Sequence, residues 1–276
     1  MTDIRCRGLT YVYPGGVRAL DAVDLSIASG ESVAIVGQNG SGKTTLVRHF
    51  NGLLRPTEGQ VQVGELDTRT TPTARLARVV GLAFQDPDRQ IFAGSVQAEA
   101  SFGARNLGLA GEALAHAVES SLSAVSLTGE KGTNPYDLGY SRRKLLTIAS
   151  VLAMGTPVVV LDEPTTGQDA RGVRQVQRLV AQLAGEGRTV IAVSHDLRFV
   201  AESFERVVVM REGRIVLDGS VADVFAQRNW PVLRSTNLEP VYPAVVGARL
   251  GLGDTPTDAS VVEALQRRGL PQQPAP

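Results

Sequence analysis

The run Gly37-Gln38-Asn39-Gly40-Ser41-Gly42-Lys43-Thr44-Thr45 constrains this chain more than any other stretch. It fits G-x-x-x-x-G-K-[ST], the pattern of a phosphate-cradling loop, with a further glycine at Gly40. Ser32-Val33-Ala34-Ile35-Val36 reads as a buried strand and Lys43 to Phe50 as a helix, which is the context the pattern requires. Glycines let such a backbone wrap close to phosphate oxygens, and the N–H groups and helix N-terminus then face the negative charge. Lys43 is placed to reach the β- and γ-phosphates, and the Thr44 hydroxyl to sit on Mg²⁺. A glycine-rich turn that merely contains Lys-Thr is the bland alternative, and the flanking strand and helix argue against it.

Lys+Arg and Asp+Glu both number 28, so no global field draws in nucleic acid or acidic lipid. The 276 residues hold one large α/β domain with an appendage, or two modest domains. Cys6 is the only cysteine, which excludes a disulfide framework and a Cys-rich metal site and fits a reducing, cytoplasmic setting. No run approaches the roughly 18 apolar residues of a spanning helix. Met1 to Arg5 lacks the apolar core of a signal peptide, so a soluble or peripheral protein is expected.

Ile4 to Ile27 falls into short strand-like bursts around the turn Tyr13-Pro14-Gly15-Gly16. Tyr13 reads either as a base-stacking ring or as local packing beside a turn. Val79 to Phe84 reads as a buried strand that delivers Gln85 at its end. Ser95 to about Leu127 turns helical, an insertion between sheet strands. The helix opened by Leu138–Lys144 carries Leu145, Ile148, Ala149, Leu152 and Ala153 on one face. Val158 to Leu161 is a buried strand ending in Asp162-Glu163, either an exposed acidic turn or a site in which one acid holds Mg²⁺ and the other acts on water. Thr189 to Val193 ends at Ser194-His195, again where sites form in open α/β sheets. Arg206–Met210 and Arg214–Leu217 read as a hairpin and Val221–Arg228 as a helix. Beyond Trp230, Pro-rich stretches alternate with one short helix near Ser260–Arg268, and disorder is expected from Gly269 on.

Gly37–Thr45, Gln85, Leu138–Arg142, Asp162-Glu163, Thr166–Asp169 and His195 stand in the order and spacing of an ABC-transporter ATPase subunit, which the chain resembles from Ile4 to Arg228. These segments are similar to that family's Walker A loop, Q-loop, signature, Walker B, D-loop and H-loop, and Tyr13 matches its base-stacking aromatic. Phe84–Phe92, Phe102-Gly103, Asn106–Gly108 and Ile148–Met154 resemble more narrowly the ATPases of energy-coupling factor importers. The tail with Leu238–Pro240 and Val261–Leu265 looks like that group's dimerisation region.

The resemblance implies an α/β P-loop NTPase fold: a RecA-like core, an N-terminal antiparallel β subdomain, and a helical subdomain at about 94–155. The ATPase domain is expected over 1–230 and a C-terminal dimerisation extension over 231–276. It implies ATP and Mg²⁺ as cofactors. ATP is expected to stack on Tyr13, with phosphates on Gly37, Gln38, Asn39, Gly40, Ser41, Gly42, Lys43, Thr44 and Thr45, and Mg²⁺ held by Thr44, Gln85 and Asp162. Glu163 is the expected general base, His195 the γ-phosphate contact and Asp169 the D-loop acid.

The implied partners are a second ABC ATPase (copy or paralogue), an integral-membrane scaffold and a small substrate-binding membrane protein, with no nucleic acid. They meet at the cytoplasmic face of the membrane for uptake of a vitamin or transition-metal ion. A soluble ABC ATPase acting on a macromolecular complex is the alternative.

One departure stands out. The family's signature usually reads Leu-Ser-Gly-Gly-Gln, whereas this chain has Leu138-Gly139-Tyr140-Ser141-Arg142. Either Ser141 and Arg142 substitute around Gly139 through a shifted helix start, or the signature is weakened and the site it completes is the poorer of two.

Overall fold

The computed structural model describes residues 2–269, so the disorder expected at the C-terminus concerns residues that, from 270 on, lie outside it. Strands β1 (Ile4–Val12), β2 (Arg18–Ile27), β4 (Glu58–Val63) and β5 (Leu66–Asp67) form an antiparallel sheet in the order β2-β1-β4-β5. Ile4 and Cys6 face the core while Arg5 and Arg7 face solvent, the period-2 alternation of a sheet covered on one side.

The second sheet contains β3 (Ser32–Gly37), β6 (Val80–Ala83), β7 (Val158–Asp162), β8 (Thr189–Val193), β9 (Arg206–Arg211) and β10 (Arg214–Ser220), ordered β10-β9-β3-β8-β7-β6. All pairings are parallel except that of β10 with β9. Its inner strands are continuous apolar runs because both faces are covered. Val33 and Ile35 enter the core shared with the antiparallel sheet, and Ala34 and Val36 the core shared with the helical side. Gly37 and Asp162 consequently end up at the same carboxyl edge, where open α/β sheets bind ligands.

Helix α1 (Lys43–Phe50) follows β3, and a single turn, α2 (Thr73–Leu76), precedes β6. The predicted helical insertion is α3 (Val96–Asn106), α4 (Gly111–Ala124) and α5 (Tyr140–Ala153), with α5 packed on both others and on β6. The single-face reading of α5 was too narrow. Lys144 through Val151 are all buried, because the helix is enclosed by neighbours on several sides. Helices α6 (Ala170–Gly185), α7 (Leu197–Ser203) and α8 (Val221–Phe225) complete the core.

The C-terminal region differs from expectation. Beside α11 (Asp258–Arg267) it holds α9 (Trp230–Ser235) and α10 (Tyr242–Leu250). Pro231 and Pro243 lie in the first turn of these helices, where a missing N–H costs nothing, so they initiate structure rather than interrupt it.

His49 on α1 is fully buried, its Nδ1 donating to the Thr45 carbonyl at 2.7 Å and its ring edge-to-face on Tyr11. Burial pushes its pKa below the ordinary 6.5. The unfolded chain takes up a proton that the folded one refuses, so stability is complete above pH 6.5 and declines as pH falls below it. Thermal unfolding of wild type and His49→Gln checks this. The variant is expected to lose up to about 1.4 kcal/mol per pH unit of the wild-type slope on the acid side, and an unchanged slope would contradict it.

Candidate nucleotide-binding site

The loop between β3 and α1 closes on itself. Gly37 has φ 152°, and a Cβ there would lie 2.3 Å from the Met210 carbonyl oxygen. Only a residue without a side chain lets the loop leave β3 beside β9. The Lys43 ammonium donates to the carbonyls of Gly37 at 2.7 Å and Gln38 at 3.0 Å. Burial lowers its pKa, while Glu163 and Asp162 pull it back up. Gly213, in the β9–β10 turn, donates its N–H to the Ser41 carbonyl and braces the loop from behind.

A cleft of about 320 Å³ opens above this loop. It brings together Tyr13, Asn39, Gly40, Gly42, Lys43, Thr44, Thr45, Gln85 and Glu163 from four separated parts of the sequence. The Tyr13 hydroxyl lies 3.0 Å from Thr45 Oγ1 and its ring meets Tyr11 edge-on, so local packing holds the ring at the cleft. The local-packing reading of Tyr13 thus describes its setting, with the residue lining the cleft. Val17, Arg18 and Ala19 also line the cleft. Sequence reasoning missed them because a turn-flanking Val-Arg-Ala carries no signature of its own. Gln38 points elsewhere, accepting from Asn237 Nδ2 at 2.6 Å.

Asp162 and Glu163 leave the sheet core for the site. The Thr44 hydroxyl donates to Asp162 Oδ1 at 3.1 Å. Burial raises the Asp162 pKa, opposed by that hydrogen bond and by Lys144. Glu163 adopts φ 51° and donates its N–H to the Val193 carbonyl at 2.8 Å, which turns its carboxylate toward the cleft. His195 Nδ1 donates to Glu163 Oε2 at 2.7 Å, joining the predicted base to the predicted sensor. Thr44 and Gln85 line the cleft and Asp162 is bonded to Thr44, so hard oxygen donors are available there, a set that fits Mg²⁺, which keeps waters and takes further oxygens from phosphates.

Sequence reasoning also passed over Lys144. Its side chain is wholly buried, and its ammonium donates to the carbonyls of Phe84 at 3.0 Å, Gln85 at 2.5 Å and Asp162 at 2.9 Å. Burial pushes its pKa down to about 8 against the pull of Asp162, Glu163 and Asp86. The available signal was a lysine amid apolar residues in a chain that otherwise uses arginine almost throughout.

The segment Leu138–Arg142, expected to be the signature, is engaged within its own chain. Gly139 precedes α5, and Tyr140 is the helix's first residue. The Tyr140 ring lies over Gly167, where an added Cβ would come within 2.6 Å of it. Ser141 Oγ donates to Gln168 Oε1 at 2.6 Å, and Gln168 Nε2 returns a bond to the Ser141 carbonyl at 3.0 Å. Arg142 pairs with Glu130. Asp169 caps α6 by accepting from the Gly172 N–H at 2.7 Å and does not line the cleft.

The sequence family described as ABC transporter matches residues 20–166. A Pyrococcus furiosus protein classed as an ABC transporter ATP-binding protein is 39% identical over 97% of this chain and 100% of its own length. An energy-coupling factor transporter ATP-binding protein EcfA1 of Methanospirillum hungatei is 37% identical, covering 95% of this chain and 96% of that one. Among solved structures, cbiO1 of Clostridium perfringens, described as part of the ABC transporter complex cbiONQ, aligns with a TM-score of 0.74 and 34% identity over 90% of this chain and 98% of that one.

This chain belongs to the ABC transporter family. It spans 44% of a longer relative from Caldanaerobacter subterraneus that is 40% identical over 91% of this chain. Among the described residues, no helix is long and apolar enough to cross a membrane.

Proposed function

We propose that this chain is the ATP-hydrolysing subunit of an energy-coupling factor importer, powering uptake of a vitamin or transition-metal ion at the cytoplasmic face of the membrane. The convergence of the phosphate loop, Gln85 and Glu163 on one cleft, with Asp162 bonded to Thr44 and His195 to Glu163, carries the hydrolytic part of this reading. Tyr13 stacks on the base. The loop Gly37–Thr45 binds the phosphates, for which Lys43 exchanges its two carbonyl partners. Thr44, Gln85 and Asp162 hold Mg²⁺, which when bound offsets phosphate charge. Glu163 takes the proton of the attacking water, and His195 orients that carboxylate and faces the γ-phosphate.

The relatives named for energy-coupling factor transport and the cbiONQ complex support the importer part. A second, apolar cleft of about 420 Å³ between the sheet core and the helical subdomain supports a membrane partner. Phe92 and Phe102 stand exposed at its mouth, ring centroids 4.6 Å apart, at the end of the loop that begins with Gln85. An element of the scaffold protein seated there is coupled to the site through that loop. A second ATPase, copy or paralogue, closes each nucleotide site. The ties of Tyr140 and Ser141 to Gly167 and Gln168 support a weakened signature in this chain.

Purification from membranes in mild detergent tests the proposal. An integral scaffold and a small substrate-binding membrane protein are expected to accompany the chain, and recovery without any membrane protein overturns it. Phe92→Ser is expected to weaken scaffold retention by at least about tenfold, with ATP binding intact.

A further inference from the structure

We propose that Lys144 is a positioning residue for hydrolysis, tying the helix that follows the signature to the two backbone segments that present Gln85 and Asp162. The inference rests on the reading above in which those two side chains hold the metal.

The parallel pairing of β6 with β7 runs from Val80↔Val158 to Ala83↔Leu161 and stops there. The next residues, Phe84-Gln85 and Asp162, are those whose carbonyls accept from Lys144. The ammonium thus continues the cross-strand link beyond the last ladder pair. It has three donors and directs them to three carbonyls, so it keeps none for a ligand. Its contribution is the spacing between the segment carrying Gln85 and the segment carrying Asp162-Glu163.

Lys144 also lies one turn into α5, whose first residues, Tyr140 and Ser141, belong to the signature. A partner nucleotide that shifts this helix start therefore pulls on the metal side of this chain's own cleft. An apolar side chain of similar length would fill the same space without desolvating a charge. That cost is offset only by the three carbonyls, which argues that their placement is what the lysine secures.

Lys144→Met keeps length and removes the donors; Lys144→Gln keeps a neutral donor. The full-length chain is assayed for binding of a fluorescent ATP analogue with Mg²⁺ and with EDTA, for steady-state hydrolysis, and for thermal unfolding. In the folded Met variant, binding in EDTA stays within about twofold of wild type. The Mg²⁺ needed for half-maximal effect rises about tenfold or more, and kcat falls by a similar factor while KM changes little. The Gln variant is expected to fall between.

A folded Met variant with wild-type Mg²⁺ dependence and kcat overturns the proposal, and the Gln variant decides on the same readouts if the Met variant does not fold. Hydrogen exchange on wild type needs no variant: nucleotide must protect residues 84–86 and 162–163 together, and protection of one segment alone overturns the link. If wild type binds ATP equally with and without Mg²⁺, the metal reading fails, and the joint protection still decides the role of Lys144.

Discussion

Glu163→Gln is expected to bind ATP as wild type does and to lose turnover by a factor of about 10²–10⁴, the range contributed by a positioned general base. The substitution keeps the volume of a side chain that is only 7% exposed. It also keeps an oxygen that accepts from His195 Nδ1, which now donates at 2.7 Å. The backbone bond from residue 163 to the Val193 carbonyl is untouched, so the strained φ of 51° and the loop it shapes persist. Only the capacity to accept a proton disappears. Equilibrium binding of a fluorescent ATP analogue and phosphate release, measured on one preparation, check both halves. Near-wild-type hydrolysis at this chain's own cleft would sink the assignment of Glu163.

Gly37→Ala is expected to cost about 2–4 kcal/mol of stability and to weaken nucleotide binding beyond measurement in the fraction that folds. The new methyl would sit 2.3 Å from the Met210 carbonyl and 2.6 Å from Ser41 Oγ. Gly37 pairs with Met210 in the β3–β9 ladder, so relief requires parting two central strands or displacing the phosphate loop. Gly40→Ala is the control: its φ is 82°, yet nothing lies within 4 Å of an added Cβ. It is expected to cost about 1–2 kcal/mol, the left-handed backbone penalty alone. Denaturant unfolding and ATP binding of the two variants, compared directly, check the ordering; equal losses would place the effect in loop flexibility instead of the contact with β9.

The phosphate loop was legible because its chemistry demands particular residues at fixed spacing. Its strand followed from an apolar run that only a sheet covered on both faces accommodates, and its helix from the strand–loop–helix context the motif requires. Asp162, Glu163 and His195 were legible as polar residues ending buried strands. The contact between His195 and Glu163 was not, because it depends on how β7 and β8 are staggered. Lys144 escaped for a related reason: its acceptors are main-chain carbonyls, which carry no trace in a sequence. Helices α9 and α10 escaped because proline breaks a helix interior but suits its first turn, and which applies depends on where the helix starts. The irregular signature was visible from its letters. Its ties to Gly167 and Gln168 required the folded chain.

Those ties bear on the central claim, an intact phosphate cleft in a chain whose own signature is held within the subunit. ATP hydrolysis by the purified chain alone, compared with hydrolysis after mixing it with a second ABC ATPase that carries a regular signature, tests this most directly. The account predicts slow turnover by the chain alone, where each cleft meets only Leu138–Arg142, and a rise of at least about tenfold when a partner supplies a regular signature. A homodimer that hydrolyses ATP at two equally active sites, as fast as any mixed pair, would contradict it.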